Sequence, residues 1–390
     1  MVNRTLAEHI HKMSTMFPVV SVTGARQCGK STLLKMVFPD YRYVSLEDTD
    51  IRRMAIDDPR GFLSNFGRRL IIDEAQYSPD LFSYIQTKVD EINDVGMYIL
   101  SGSQNFLMME RISQSLAGRV AVVQLSPFSV CELEESGLMN ENTNSWLFNG
   151  GYPRIYDKGI PATVYYSNYV STYLDRDVRT LRNVGDIMQF NKFLRLCAGR
   201  IGQVLNIAAL ANDCDISVPT VKAWLSILET SYIVFQLQPY FKNYNKRLIK
   251  SPKLYFHDTG LASYLLGVTD FEQLSTHYMK GHLFENMIVS EFRKSYTNAG
   301  KEPQIWYWRE SNGDEVDLIT GFDTDIVAYE IKSSETINRG FYDELIKFSK
   351  FANLGIDRTA VIYGGNIDYS TEYGTFKSYK NISLRFGKRV

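Results

Sequence analysis

The sequence predicts an α/β chain with a parallel five-stranded sheet core, a helical domain ending in a winged-helix-like unit, and a small α/β domain. Three observations point there. From residue 17 to about 130, five short apolar runs, "VVSVTG", "YRYVSLED", "RRLIIDEA", "GMYILSGS" and "VAVVQLSPF", alternate with longer mixed stretches. From roughly 136 to 270 the hydrophobic period turns helical, and beyond "LASYLLGVTD" a helix is followed by strand-like runs. At 390 residues the chain exceeds the roughly 250 to 300 at which a single core stops growing, so domains are expected at 1–135, 136–270 and 271–390.

The elements follow in order. "MVNRTLAEHIHKM" reads as the start of an amphipathic helix and lacks the apolar h-region of a signal peptide. Each of the five runs holds about five apolar residues bounded by Gly, Asp or Ser, which suits strands buried on both faces, and the intervals admit crossover helices. In the second region, "TVYYSNYVSTYLDRDVRTL", "DIMQFNKFLRLCAG" and "SVPTVKAWLSILETSYIV" have the helical period. Its later part runs helix, polar turn, helix capped near Ser217, then a β-rich tail, the order of a winged helix-turn-helix. In the third region the helix "GHLFENMIVSEFRKSY" precedes "IWYWRE", "DEVDLIT" and "VAYEIKSS". The loop "EESGLMNENTNS" marks the first boundary.

Composition bounds the function. Lys and Arg number 43 against 44 Asp and Glu, so overall charge argues neither for nor against nucleic acid, and only local patches can. Cys28, Cys131, Cys197 and Cys214 are scattered, with no paired spacing, and are expected to be reduced and structural. No stretch approaches the roughly 20 uncharged apolar residues of a membrane span, so the expectation is a cytoplasmic protein with no membrane partner.

The first site is "GARQCGKST": Gly24, Ala25, Arg26, Gln27, Cys28, Gly29, Lys30, Ser31 and Thr32. It fits GxxxxGK[ST] between a predicted strand and a helix, the context the motif needs. Glycines let consecutive N–H groups and the helix N-terminus face phosphates. Lys30 would reach the β and γ phosphates of ATP, and Ser31 would hold Mg²⁺. "LIIDEAQ" ends a strand in Asp73, placed to orient the metal, and Glu74, placed to polarise the attacking water. "MYILSGSQ" ends in Ser103 and Gln104, which would emerge beside the γ-phosphate; a strand-end turn is the alternative.

The order P-loop, "IIDEAQ", "LSGSQ", "SLAGR", "LSPFS" resembles the prokaryotic AAA+-like ATPases of AAA_14 type that carry a C-terminal domain of unknown function, DUF4143. The resemblance spans nearly the whole chain. It implies an ATPase core, assembly as a homo-oligomeric ring, a hexamer, and Arg119 as a finger reaching into the neighbouring subunit's site. A solvated surface arginine is the alternative for Arg119.

A second constellation comprises Glu285 on a helix, Asp317 in a strand, and Glu330 and Lys332 in the next strand. Alternation puts Glu330 and Lys332 on one strand face, where Asp317 and Glu330 would hold a second Mg²⁺ with Glu285 and Lys332 beside it. The pattern resembles the PD-(D/E)xK, restriction-endonuclease-like fold of the Holliday junction resolvase variety, with Val316 in place of the proline. An exposed strand face with opposite charges is the alternative.

Between these sites "QPYFKNYNKRLIKSPKLYF" sets Lys242, Lys246, Arg247, Lys250 and Lys253 among Tyr240, Phe241, Tyr244 and Tyr255. It is a candidate DNA contact, or else a solvated hairpin whose aromatics complete a core. Trp224 reads as core. Together these features predict an ATP- and Mg²⁺-dependent ring that binds and remodels DNA, including branched DNA. The alternative is a nucleotide-dependent signalling switch that binds a protein partner and has an inert nuclease-like domain.

Overall fold

The computed structural model describes residues 2–102, 115–139, 142–173, 187–240, 251–322 and 325–381. The chain falls into two compact units. One comprises Met1–Ser136 with Thr230–Tyr232 and Thr297–Lys301; the other comprises Gly137–Glu229, Ile233–Tyr296 and Glu302–Val390.

The first unit is built on five strands, β1 (Val19–Thr23), β2 (Arg42–Ser45), β3 (Leu70–Asp73), β4 (Tyr98–Gly102) and β5 (Val120–Gln124). All are parallel, as the apolar runs predict, and their order across the sheet is β2-β3-β4-β1-β5. β1, β3 and β4 are buried along their whole length, because helices flank a parallel sheet and leave its central strands no solvated face. Val19, Leu70, Ile72 and Leu100 pack with Phe62, Phe82 and Ile85 in the core, each such side chain stabilising the fold by about 1.5–3 kcal/mol. Register pairs Val19 with Tyr98 and with Val120, so Thr23, Asp73 and Gly102 come out at one edge of the sheet. Ligands of open parallel sheets bind at that carboxyl edge, where the order of strands reverses.

The second unit opens with helices. Phe190 and Phe193, on the helix Ile187–Ala198, hold Trp224 edge-on at 5.1 and 5.4 Å, so Trp224 is core. Helix Ile207–Cys214, a turn at Asp215 in the left-handed region, and helix Val218–Thr230 follow. The Ser217 hydroxyl accepts from Thr220 N at 3.2 Å at the start of the last of these. An antiparallel hairpin of β6 (Val234–Leu237) and β7 (Lys253–Phe256) completes the run.

The same unit ends in a six-stranded mixed sheet of order β12-β13-β11-β10-β9-β8. Its strands are β8 (Ile305–Arg309), β9 (Glu315–Thr320), β10 (Val327–Lys332), β11 (Thr359–Tyr363), β12 (Tyr369–Thr371) and β13 (Gly374–Ser378). β10 runs parallel to β11 and antiparallel to β9, so Asp317 and Glu330 fall on neighbouring strands. Trp308, Val316, Leu345, Phe348 and Phe376 form its core. Among the described residues no helix is long and apolar enough to cross a membrane.

Candidate functional site

The loop between β1 and the helix Lys30–Val37 is shaped by its glycines. A Cβ on Gly24 would lie 2.2 Å from the Leu125 carbonyl oxygen, and Gly29 enters the helix at φ 98°. Both positions demand glycine, the second because a left-handed backbone is costly with any side chain. The Lys30 ammonium is buried and donates to the carbonyls of Gly24 (3.0 Å) and Ala25 (2.9 Å). It thus closes over its own loop.

Across the sheet edge, the Ser31 hydroxyl donates to Asp73 Oδ2 at 2.6 Å, joining residues far apart in sequence. Tyr43, on β2, donates to the same oxygen at 2.5 Å, and Ser101, on β4, donates to Asp73 Oδ1. Asp73 is therefore fixed from two strands and the helix after the loop. Burial and then the Asp73 hydrogen bond push the Tyr43 phenol up, so it stays a donor. Glu74 follows in a left-handed conformation at φ 54°, and its Oε2 accepts from the Gln76 amide. The Tyr232 hydroxyl donates to Thr23 Oγ1 at 2.7 Å, just ahead of the loop.

Arg4 lies beneath the loop. Its guanidinium donates to the carbonyls of Cys28 (3.0 Å) and Ser126 (2.5 Å) and pairs with the buried Glu132 at 3.2 Å. Tyr43, Gln76, Ser101 and Arg4 escape motif reading. For Tyr43 and Ser101 the available signal was strand alternation aimed at the Asp73 edge; for Arg4 and Gln76 there was none.

Arg119 precedes β5 at the amino edge of the sheet, away from this chain's own phosphate loop. It grips Asp90 with two bonds, Nε to Oδ1 at 2.5 Å and Nη2 to Oδ2 at 2.8 Å. Gln104 and the basic residues Lys242, Lys246, Arg247 and Lys250 lie outside the described residues. Lys253, read from sequence as part of the same basic segment, requires correction. It is 1% exposed and points inward, because β7 is covered on both faces. The nearby Tyr240 and Tyr255 are core as well.

The second constellation comes together around a buried lysine. Lys253 Nζ lies 3.1 Å from Glu285 Oε1, 2.5 Å from Glu315 Oε1 and 3.8 Å from Asp317 Oδ1. Tyr255, two residues along the same strand, donates to Glu285 Oε1 at 2.5 Å. Asp317 Oδ2 accepts from Ile331 N at 2.9 Å, and Lys332 donates to Glu330 Oε1 at 2.5 Å. Among the described residues no three His, Cys, Asp or Glu side chains are grouped to hold a metal ion. Asn286 brackets the Phe256 backbone at 2.7 and 2.9 Å, fixing β7 against the Glu285 helix. A polar cavity of about 460 Å³ opens beside the end of β10, lined by residues including Asn144, Lys280, Ser333, Glu335 and Lys380.

Burial, then the Glu285 charge, push Asp317 up to about 6. Folding thus raises this pKa, and the group's contribution to stability is complete below about 3.8 and lost as pH rises through 6. Burial, then Asp317, raises Glu330 in the same direction. Asp317→Asn is accordingly expected to gain stability relative to the wild type as pH rises from about 4 to about 6, by up to roughly 3 kcal/mol. Urea unfolding of both proteins across that range checks it. Parallel pH curves would refute the shift.

The chain is 30% identical over 369 residues to the uncharacterized protein Rv2008c of Mycobacterium tuberculosis, covering 93% of this chain and 80% of that one. Mb2031c of Mycobacterium bovis, also uncharacterized, matches to the same extent. Residues 16–134 match the AAA domain family AAA_14, and residues 280–382 match the domain of unknown function DUF4143. The chain belongs to the AAA_14–DUF4143 family of P-loop ATPases. Within this family member, residues 140–272 match a further domain of unknown function, DUF8612. Among solved structures, the Walker-type ATPase PABY2304 of Pyrococcus abyssi is similar with a TM-score of 0.45 at 15% identity, over 67% of this chain and 94% of that one. Thermotoga maritima RuvB, a Holliday junction branch migration motor, is similar with a TM-score of 0.32 at 16% identity, over 60% and 90%.

Proposed function

We propose that this ATPase binds ATP with Mg²⁺ at Gly24–Thr32, hydrolyses it with Glu74 as the water-polarising base, and uses the cycle to remodel DNA as an oligomeric ring. The observation that supports the site most is the 2.6 Å bond between Ser31 and Asp73, which brings the loop hydroxyl and the β3 carboxylate to one point. A hydroxyl and a carboxylate in contact suit a hydrated Mg²⁺ that retains several waters. When bound, the metal neutralises charge on the phosphates.

The chain's own residues do the remainder. Lys30 would exchange the carbonyls of Gly24 and Ala25 for phosphate oxygens, turning from weak acceptors to charged ones. Gln76 restrains the Glu74 carboxylate, and Tyr43 and Ser101 hold Asp73 in a single orientation. Arg119 would act as a finger in the neighbouring subunit's site. That role requires it to trade Asp90 for a γ-phosphate, which confines it to the assembled ring.

DNA contact is assigned to the helix-turn-helix run and to Lys242, Lys246, Arg247 and Lys250. The reading predicts ATP hydrolysis stimulated by duplex or four-way-junction DNA, abolished by Lys30→Ala, with DNA affinity falling steeply from low to physiological salt. A rate equal in the presence and absence of every DNA would sink it. A second reading, a nucleotide-dependent switch that binds a protein, is favoured by two observations: the net charge of −1 and the lysine that fills the nuclease-like cluster. Retention of one protein partner after nuclease treatment would select that switch.

A further inference from the structure

We propose that Lys253 is a built-in cation that closes the nuclease-like cluster to divalent metal as long as β7 is seated. The cluster has the residues of a phosphodiester-cutting centre but not its vacancy. The three carboxylates Glu285, Glu315 and Asp317 converge from a helix and a strand on one point, and that point is the Lys253 ammonium. A charged amine buried to 1% exposure requires paired acids, and here it has three.

Most of the oxygens a metal would use are already engaged, the exception being Glu330 Oε2, which is buried with no hydrogen-bond partner among the described residues. Glu285 Oε1 accepts from both Lys253 and Tyr255. Glu315 divides its two oxygens between Lys253 and Arg309. Asp317 gives one oxygen to the Ile331 amide and turns the other toward Lys253, and Glu330 Oε1 is held by Lys332. A divalent ion at this point would meet a fixed positive charge in a medium that screens it poorly. It enters only if the ammonium leaves.

The lysine cannot swing aside as a surface chain does. Val204 pairs with β7 along one edge, where Asn286 also clamps the Phe256 backbone, β6 pairs with the other edge, and the Tyr307 ring lies 5.4 Å from Nζ. Strand alternation puts Lys253 and Tyr255 on the same face, so the strand delivers an ammonium and a hydroxyl to Glu285 together. Removing the cation means displacing the strand. The contact is therefore autoinhibitory, independent of the ATP reading.

The test is Mn²⁺ binding to the nucleotide-free full chain, read by electron paramagnetic resonance, in the wild type, Asp317→Asn, Lys253→Met and the Lys253→Met/Asp317→Asn double variant. Expected is no difference between wild type and Asp317→Asn, and one added equivalent of Mn²⁺ in Lys253→Met that the double variant loses. A wild-type equivalent abolished by Asp317→Asn overturns the proposal. So does a folded Lys253→Met chain that takes up no added Mn²⁺. Should Lys253→Met fail to fold, the first comparison decides alone, equal binding upholding the closure and a lost equivalent refuting it.

Discussion

Glu74→Gln is expected to leave nucleotide binding intact and to lower ATP turnover by about 10²- to 10⁴-fold, the usual contribution of a positioned general base. The residue sits one position past β3, at the carboxyl edge of the sheet where the phosphate loop also lies, in a left-handed conformation. Amide for carboxylate preserves its size and its contact with Gln76, and removes only the capacity to take a proton. Lys30→Ala should differ in kind, losing affinity together with turnover, because the ammonium is the loop's own charge for phosphate. Fluorescent-nucleotide binding and steady-state hydrolysis, measured side by side, separate the two effects. Turnover near the wild-type rate in Glu74→Gln would remove the residue from the mechanism.

Arg4→Met is expected to destabilise the ATPase unit by about 3–5 kcal/mol, the cost of orphaning a buried charge. The guanidinium is the charged partner of Glu132, whose side chain is 1% exposed and whose other oxygen caps a helix through Ser129 N. Methionine would leave that carboxylate buried without its countercharge and two carbonyls, of Cys28 and Ser126, without this donor. Because Cys28 belongs to the phosphate loop, nucleotide affinity should fall as well. Urea unfolding checks the magnitude, and the Arg4→Met/Glu132→Leu pair should recover much of the loss, since an apolar pair of similar volume replaces both charges. A loss well under about 1 kcal/mol in the single variant would mean water reaches Glu132.

The first unit was largely legible because its signals are local. Five parallel strands, three of them buried along their whole length, write themselves as short apolar runs, and GARQCGKST needs only its flanking strand and helix to be recognised. The carboxylates of the mixed sheet were legible too, since alternation sets Glu330 and Lys332 on one face of β10. What escaped is reached through long separations: Arg4 to Glu132, Tyr43 and Ser101 to Asp73, and Lys253 to the acids of the mixed sheet. Lys253 is the instructive miss. Its neighbours Lys246, Arg247 and Lys250 make the stretch look like a basic surface, but the sign of a residue's neighbours along the chain says nothing of what packs over it.

The sequence by itself determined the phosphate loop, the acidic strand, the order of strands and helices, and the family, because each is encoded in spacing over a few residues. Only the tertiary structure decided that Asp73 is held from two strands and a helix and that a buried lysine sits among Glu285, Glu315 and Asp317. Both depend on which side chains converge through space, and burial there makes the pairing of charges, rather than their mere presence, the quantity that sets the chemistry.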